Sequence, residues 1–321
     1  MNLAKEMIDA AKKAGADAVK FQTFKAESLV SKGTPKVKYQ ESTTSHAESH
    51  FEMIKSLELS YDNHFFLQDY CLKKDIKFLS TPYDVESARF LNEDLDVEMF
   101  KSASADLVDL SLHDYIASTG KPSIISVGMA SMGEIKENLK IYNSYNHKDI
   151  ILLHCVSNYP CAHENLNLRV LETLKQAFDL PVGYSDHSIG SEAAVLSIGL
   201  GAKIVEKHFT LDKSLPGPDH LASSTPDEFK LLVDLVRKAE TILGSSIKTC
   251  QDEERQMAEV SRKSIVLKND LFKGDILKKE DLVYLRPGTG IYPIFLNKTL
   301  GKRIKKDLVK GTQLSWTHIT G

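Results

Sequence analysis

Short β-rich runs alternate with amphipathic helical stretches over the first 225 residues of the chain. This alternation is typical of βα units wound around a parallel sheet. A closed (β/α)8 TIM barrel has eight such strands, and the sequence predicts seven: Asp17–Gln22, Ile76–Ser80, Val97–Ser102, Pro122–Val127, Asp149–Val156, Pro181–Ser185 and Lys203–Phe209. The chain opens instead on apolar residues at helical spacing. We therefore expect an α/β barrel whose first strand is missing.

The pattern changes after Pro226. An apolar stripe at helical spacing predicts a helix there, and Gly244 is its expected stop. Residues 245–262 are polar and charged, which predicts an exposed linker that ends in a helical turn. Residues 263–321 consist of short apolar runs and turns, which predicts a small β-rich module. We therefore divide the chain into a barrel (1–244), a linker (245–262) and a C-terminal module (263–321).

Charge is unevenly distributed along the chain. The formal net charge is -3, but the segment from Arg262 to the end carries 13 Lys and Arg against 5 Asp and Glu, or +8, which leaves -11 for the rest. A basic module can bind nucleic acid, yet its aromatic residues are scattered rather than interleaved with the charges: Tyr284, Tyr292, Phe295 and Trp316. We expect no nucleic-acid partner and favour a face that docks on an acidic partner subunit.

Composition also bears on compartment. No apolar run approaches the roughly 20 residues that span a bilayer, so we expect no membrane partner. Asp9 and the Lys12–Lys13 pair interrupt the N-terminal stretch before a signal-peptide core forms. The four cysteines show no CxxC spacing, and Cys155 and Cys161 are interpreted as core and loop residues. These features predict a cytoplasmic protein.

Two histidines stand where an apolar strand gives way to a polar loop. Residues two apart on a strand share a face, so Ser185 with His187, and Glu206 with His208, would point into one site. Twenty-one residues separate the histidines, about one helix plus its turns, so neighbouring parallel strands would deliver both to the same barrel end. Glu206, His187 and His208 predict a divalent metal site. The alternative is that each histidine is a hydrogen-bonded structural residue.

Lysines and hydroxyl groups occur at the ends of other predicted strands. Lys20 and Gln22 share a face of one strand, and an inward-pointing lysine is costly unless it meets an anion. Around the same rim the sequence places further donors: Lys101, Ser104, Ser126 and Ser185. This set predicts a pocket for a phosphate, or for a phosphate and a carboxylate. The alternative for Lys101 is a solvated strand end.

A second histidine pair has helical spacing. His46 and His50 stand at i and i+4 in a predicted helix, a spacing that metal sites use. No acidic motif accompanies them. We therefore interpret the pair as an exposed helix face.

Five runs of the chain resemble, in order, the sialic acid synthase family, the nonulosonate synthases that make N-acetylneuraminate, legionaminate or pseudaminate: DAVKFQTFKAESLV, FLSTPYD, GYSDHSIG, VEKHFTLDKSLPGPDH and LRPGTGIYP. The resemblance implies a phosphoenolpyruvate-dependent (β/α)8 barrel followed by a C-terminal SAF (antifreeze-like) domain, in a domain-swapped homodimer. Two features depart from the family. Its usual first strand and Glu-containing segment are not in this chain, and Asp106 stands where many members have Glu.

The resemblance also implies roles for individual residues. It places phosphoenolpyruvate on six of them: Lys20, Thr81, Lys101, Ser104, Ser126 and Ser185. It places Mn²⁺ or Mg²⁺ on His187 and His208. Catalytic roles fall on Lys20, Lys101, Glu206 and Asp219. The N-acylated amino sugar is expected to face Tyr159 and Asp219. Further substrate-binding residues are Gln22, Asp106 and Ser157. Arg286 of the C-terminal module is expected to reach across the dimer and hold the sugar's N-acyl group.

The implied reaction condenses phosphoenolpyruvate with N-acetylmannosamine and gives N-acetylneuraminate and phosphate, with the metal as Lewis acid. A legionaminate synthase using 2,4-diacetamido-2,4,6-trideoxymannose is the alternative, because the motifs do not separate these two sugars. Two further interpretations stay open. One is a truncated, inactive sugar-binding pseudoenzyme, and the other is a metal-dependent hydrolase of a phosphate ester on a barrel.

Overall fold

Helices and parallel strands alternate in the computed structural model, which describes residues 1–37, 40, 44 and 47–320. The chain folds into two compact units, Met1–Gly244 and the residues from Ser245 onward. The first unit has helices α1 (Asn2–Ala14), α2 (Ala26–Leu29), α3 (His50–Ser56), α4 (Tyr61–Lys73), α5 (Val85–Arg89), α6 (Leu110–Ser118), α7 (Met132–Ser144), α8 (Val170–Phe178), α9 (Glu192–Gly199) and α10 (Pro226–Leu243). Its strands are β1 (Ala18–Thr23), β2 (Lys77–Pro82), β3 (Phe100–Ser102), β4 (Ser123–Ser126), β5 (Ile150–Cys155), β6 (Val182–Asp186) and β7 (Val205–Lys207).

The strands of the first unit are all parallel. β1 pairs with β2, and β3 to β7 pair in chain order in a second ladder. β2 packs beside β3, and Lys20 of β1 meets Glu206 of β7 across the interior. Helices follow the strands in sequence, as in a TIM-barrel-like α/β fold. The expected fold class is confirmed at this level, whereas the expected loss of a strand before α1 stays a prediction.

Each predicted strand is present, with shifted ends. The largest differences are at β3 and β7, which are shorter than the predicted Val97–Ser102 and Lys203–Phe209. Val97 is buried, but its N–H donates to the carbonyl of Leu91 rather than to a neighbouring strand. An apolar run in the sequence indicates which residues are buried. Buried residues extend beyond the hydrogen-bonded part of a strand, so the predicted strands are too long.

Capping residues define the helix starts. Ser131 and Glu134 form a reciprocal capping box at the start of α7. Thr225 and Glu228 do the same for α10, where Pro226 occupies the first turn and Gly244 follows the last residue. The helix predicted after Pro226 is therefore confirmed. In the part of the chain that the structure describes, no helix is long and apolar enough to cross a membrane.

Each unit has its own hydrophobic core. In the first unit, strands and surrounding helices bury Phe100, Leu152 and Tyr184 almost completely. The second unit contains α11 (Arg255–Ser261), β8 (Ser264–Leu267), β9 (Leu282–Leu285) and α12 (Leu296–Thr299). β8 and β9 form an antiparallel pair, over a cluster that includes Ile265, Leu277 and Leu314. The segment 245–262 is mostly exposed.

Gly183 generates a stability prediction, because the strands beside it leave no room for a side chain. A Cβ at Gly183 would lie 2.5 Å from Leu153 Cδ2 and 2.8 Å from the carbonyl oxygen of Ile204. Gly183→Ala should therefore lower the free energy of unfolding by about 1–3 kcal/mol, measured by urea denaturation.

The same substitution at Gly133 is the matched control. Gly133 lies in the first turn of α7, where a Cβ would meet only Ser131 Oγ at 3.8 Å. Gly133→Ala should raise the free energy of unfolding by up to about 1 kcal/mol, because alanine loses less backbone entropy in a helix. Equal effects at the two positions would contradict this packing argument.

Candidate active site

Three charged side chains from three strands meet at the carboxyl ends of the barrel strands. Lys20 Nζ on β1 lies 3.5 Å from Glu206 Oε2 on β7. Lys101 Nζ on β3 lies 3.7 Å from Glu206 Oε1. Two cations against one carboxylate leave a local charge of about +1. The structure thus brings together three of the residues that the sequence singled out.

Lys101 is the most deeply placed of these charges. Its side chain is 3% exposed, and its ammonium donates to Ser126 Oγ and to the carbonyl of Ser102, both at 2.7 Å. Burial lowers the pKa of Lys101 to about 8, although Glu206 acts in the opposite direction. Lys101 is therefore not a solvated strand end. A buried cation with incomplete compensation favours an anion beside it.

Glu206 is held ionised by its neighbours. Burial tends to raise the pKa of Glu206, but Lys101, Lys20 and a hydrogen bond from Ser185 together lower it well below its usual range. Ser185 Oγ donates to Glu206 Oε1 at 2.7 Å. Thr81 lies on the other side of the cluster, where Lys20 Nζ contacts its Oγ1 at 3.5 Å. The charged groups thus contact Ser126 and Ser185, which were predicted from strand positions, and Thr81, which only the family resemblance implied.

The two histidines also meet. The ring centroids of His187 and His208 are 5.3 Å apart, and Tyr159 packs against both, at 4.1 Å and 5.3 Å. His187 Nδ1 lies 2.9 Å from the carbonyl oxygen of Val156. Cys155, at the end of β5, places its Sγ 3.6 Å from the same nitrogen. Cys155 was interpreted from sequence only as a core residue, and its contact with His187 was missed.

The surroundings of His208 suit a neutral imidazole. Burial and the neighbouring His187 and Lys20 lower its pKa to about 3. Asp219 Oδ2 is 4.0 Å from His208 Nδ1, and burial raises the pKa of Asp219. Among the described residues, no group of three or more His, Cys, Asp or Glu side chains is arranged to hold a metal ion. Two imidazoles and a nearby carboxylate nevertheless form a donor set of the kind that borderline divalent metals use.

Gly128 joins the loops that follow β3, β4 and β5. Its N–H donates to Ser104 Oγ at 3.0 Å. A Cβ at Gly128 would lie 2.7 Å from Ser157 Oγ and 2.9 Å from Ser104 Oγ, so only glycine lets these hydroxyls approach so closely. Sequence reasoning missed Gly128. The available signal was a glycine two residues after Ser126, the serine that ends β4.

The remaining candidate residues are more dispersed. Gln22 Nε2 donates to the hydroxyl of Tyr83 at 2.9 Å. Asp106 lies in the short 3₁₀ turn Ser104–Val108, and its Oδ2 is buried without a hydrogen-bond partner. Arg286 is exposed directly after β9, in the second unit. Its contact with a sugar stays a prediction.

The second histidine pair can be followed only in part, because His46 lies outside the described residues. His50 begins α3 and is half-buried, with its Nδ1 enclosed and unpaired. The expectation of a fully exposed helix face is therefore wrong for His50.

A barrel with a buried lysine, a second lysine, hydroxyls and paired histidines around one carboxylate, followed by a small β-rich module, fits an enzyme that acts on an anionic substrate. Comparison with known proteins makes the class specific. Residues 7–248 match the model of the NeuB family, and residues 262–320 match the model of the SAF domain. The chain belongs to the NeuB family. It is a phosphoenolpyruvate-dependent synthase that forms a carbon–carbon bond.

The relatives extend over almost the whole chain. The N,N'-diacetyllegionaminic acid synthase of Legionella pneumophila is 45% identical, covering 99% of this chain and 90% of the relative. The protein of the same name from Campylobacter jejuni is 42% identical, covering 96% and 93%. The crystal structure of N-acetylneuraminic acid synthetase from Leptospira borgpetersenii is 36% identical, covering 80% of this chain and 85% of the other, with a TM-score of 0.70.

The unpaired carboxyl of Asp106 predicts a pH-dependent stability. Burial, with Asp109 as a lesser cause, raises its pKa from 3.8 to about 7. The folded state therefore binds this proton more tightly than the unfolded state, and the resulting stability is lost as the pH rises through about 7. The asparagine variant lacks this proton, so its free energy of unfolding should not fall in the same way. Relative to the wild type, the free energy of unfolding of Asp106→Asn should increase by about 1–3 kcal/mol as the pH rises from about 5 to 8.

Urea denaturation of both proteins across this pH range would measure the difference. Asp149→Asn is the control, because Asp149 is an exposed residue just before β5. Its difference from the wild type should stay constant with pH. A constant difference for Asp106→Asn as well would show that its carboxyl group titrates normally.

Proposed function

We propose that this enzyme is a nonulosonate synthase that condenses phosphoenolpyruvate with 2,4-diacetamido-2,4,6-trideoxymannose and forms N,N'-diacetyllegionaminate. The observation that carries the synthase chemistry is the convergence of Lys20, Lys101 and Glu206 beside the paired histidines. The names of the two relatives with 45% and 42% identity support the choice of sugar. N-acetylmannosamine, the substrate expected first from the sequence, is the second candidate, supported by the similar N-acetylneuraminic acid synthetase structure.

The lysine side of the site would hold phosphoenolpyruvate. The ammonium groups of Lys20 and Lys101 supply charge, while the hydroxyls of Ser104 and Ser126 supply hydrogen-bond donors. The N–H of Gly128 holds Ser104 in place. Lys101 is already fixed by two hydrogen bonds at 2.7 Å. Its orientation therefore costs little when the substrate binds, which is the condition for preorganised electrostatic stabilisation.

The histidine side fits a divalent ion, Mn²⁺ or Mg²⁺. The contact of His187 Nδ1 with the carbonyl of Val156 leaves Nε2 as its ligand atom if Nδ1 carries the proton. The low pKa of His208 keeps its imidazole neutral and able to coordinate. Asp219 and Glu206 would complete the negative charge around the ion. When bound, the ion would act as a Lewis acid on the carbonyl oxygen of the sugar.

The amino sugar would lie between these two sides. Tyr159 offers an apolar ring beside the histidines, whereas Gln22, Ser157 and Asp106 offer polar groups that suit hydroxyl and acetamido substituents. Arg286 of a partner subunit's C-terminal module would bind the N-acyl group. This assignment makes the enzyme a domain-swapped homodimer, and the cytoplasm is its expected compartment.

The proposed chemistry balances as a condensation with hydrolysis. Carbon 3 of phosphoenolpyruvate attacks the aldehyde carbon of the open-chain sugar, and the aldehyde oxygen takes a proton to become a hydroxyl. Water adds to carbon 2, and phosphate leaves with cleavage of its bond to carbon 2. Lys20 and Lys101 keep the phosphate and carboxylate in place while positive charge develops at carbon 2 and is quenched.

Sugar-dependent phosphate release tests the proposal. With phosphoenolpyruvate and Mn²⁺, we expect release with 2,4-diacetamido-2,4,6-trideoxymannose at a kcat/KM at least about tenfold higher than with N-acetylmannosamine, a difference of roughly 1.4 kcal/mol in transition-state binding. Reactions without sugar and with EDTA are the controls. A preference for N-acetylmannosamine would select the second candidate, and release without any sugar would support a phosphate-ester hydrolase.

Removal of the buried cation gives a second test. Lys101→Met should reduce kcat/KM for phosphoenolpyruvate by about 10²-fold or more, because a charge-assisted contact in the transition state is lost. The variant should stay folded, because Lys20 and the hydroxyl of Ser185 still contact Glu206 when the partly compensated cation is replaced by an apolar side chain. Lys140→Met, at an exposed position of α7, is the matched control. A folded Lys101→Met enzyme with more than a third of wild-type kcat/KM would rule out the assigned role.

A further inference from the structure

An ion pair lies on the other side of β6 and β7 from the candidate active site. Asp186 and Lys207 are direct partners in the ladder between these strands. Because alternate residues of a strand face opposite sides, they point away from the side that presents Ser185 and Glu206. Lys207 Nζ lies 2.7 Å from Asp186 Oδ2, and the two side chains are 2% and 0% exposed. No step of the proposed reaction uses this pair.

The hydrogen bonds of the pair are complete. The three protons of the Lys207 ammonium are directed to Asp186 Oδ2 and to the carbonyls of Ser188 and Gly190, at 2.7, 2.6 and 2.8 Å. Asp186 Oδ1 accepts from the N–H of Ser188 at 2.9 Å, from its hydroxyl at 2.7 Å, and from the hydroxyl of Tyr184 at 3.3 Å. Lys207 of β7 therefore holds the loop that follows β6 in place through hydrogen bonds.

Stability alone does not account for such an arrangement. A buried ion pair rarely stabilises a fold more than apolar residues of the same size, because both charges lose their hydration. This pair fixes the position of the backbone on two neighbouring strands, next to each of the two histidines. His187 lies between Asp186 and Ser188, both of which are fixed by the network, and His208 directly follows Lys207.

We infer that Asp186 and Lys207 are positioning residues that hold His187 and His208 at the separation needed to bind a divalent metal together. The pair acts from outside the site by locking the backbone that carries each histidine. This inference rests on the proposed function, in which the two histidines are metal ligands. Partners of metal ligands of this kind typically change metal affinity by about 10–100-fold when they are removed.

Lys207→Met tests the inference, with Lys203→Met as the matched control, because Lys203 is exposed just before β7. The dissociation constant of Mn²⁺ is measured by isothermal titration calorimetry on each folded full-length protein, without substrates. We expect about a tenfold to hundredfold weaker affinity for Lys207→Met and no change for Lys203→Met. In turnover assays the concentration of Mn²⁺ for half-maximal rate should rise, while the KM for phosphoenolpyruvate stays within about threefold.

Asp186→Asn serves if Lys207→Met does not fold, because the amide keeps the shape of the carboxylate. We expect about a threefold to tenfold loss of Mn²⁺ affinity for this milder change. Wild-type Mn²⁺ affinity in a folded variant with lowered thermal stability would overturn the inference and leave the pair a structural role. A wild-type enzyme that binds no Mn²⁺ would overturn both this inference and the proposed metal site, so the two failures are distinguishable.

Discussion

The charge balance among Lys20, Lys101 and Glu206 is the constraint on which the active centre depends. A barrel interior is a poor environment for isolated charges, and Lys101 is almost completely enclosed. Glu206 compensates part of this charge and is itself kept ionised by the two lysines. The cluster remains positive by about one unit. In the proposed function a substrate with a phosphate and a carboxylate would complete the compensation, so the same charge cluster would also select an anion.

Because side chains alternate along a strand, a short segment can present one set of residues to the active site and another set to the packing on the opposite side. On β6 and β7 the residues that face the site are Ser185 and Glu206, and the neighbouring Asp186 and Lys207 face the opposite way. A register shift of one residue would exchange the two sets. The buried pair opposes such a shift, because Lys207 donates to Asp186 and to the loop carbonyls of Ser188 and Gly190 only in the observed register. The pairing of β6 with β7 therefore determines both the buried ion pair and the positions of the residues that face the site.

Sequence patterns predicted the strands because strands follow from periodicity, whereas several site residues, among them Thr81, Tyr159 and Asp219, were expected only from the family resemblance. Lys20, Lys101, Glu206 and the two histidines could be assigned to one rim from their positions at strand ends alone. Contacts that depend on loops could not. Gly128 matters because hydroxyls from two other loops approach it within 3 Å of where a Cβ would lie, and periodicity contains no such distance. The exact strand ends were also missed, since Val97 is buried outside the ladder.

The two sides of the site face different evolutionary demands. In the proposed function the lysine and hydroxyl side, built on β1, β3 and β4, would bind phosphoenolpyruvate. The sugar would be recognised by its acetamido and hydroxyl groups, which are distinguished by polar contacts rather than by charge. The residues assigned to the sugar in that proposal, such as Tyr159 and Ser157, lie on loops and could change without disturbing the buried charges. A barrel with rigid strand ends and variable loops permits this separation.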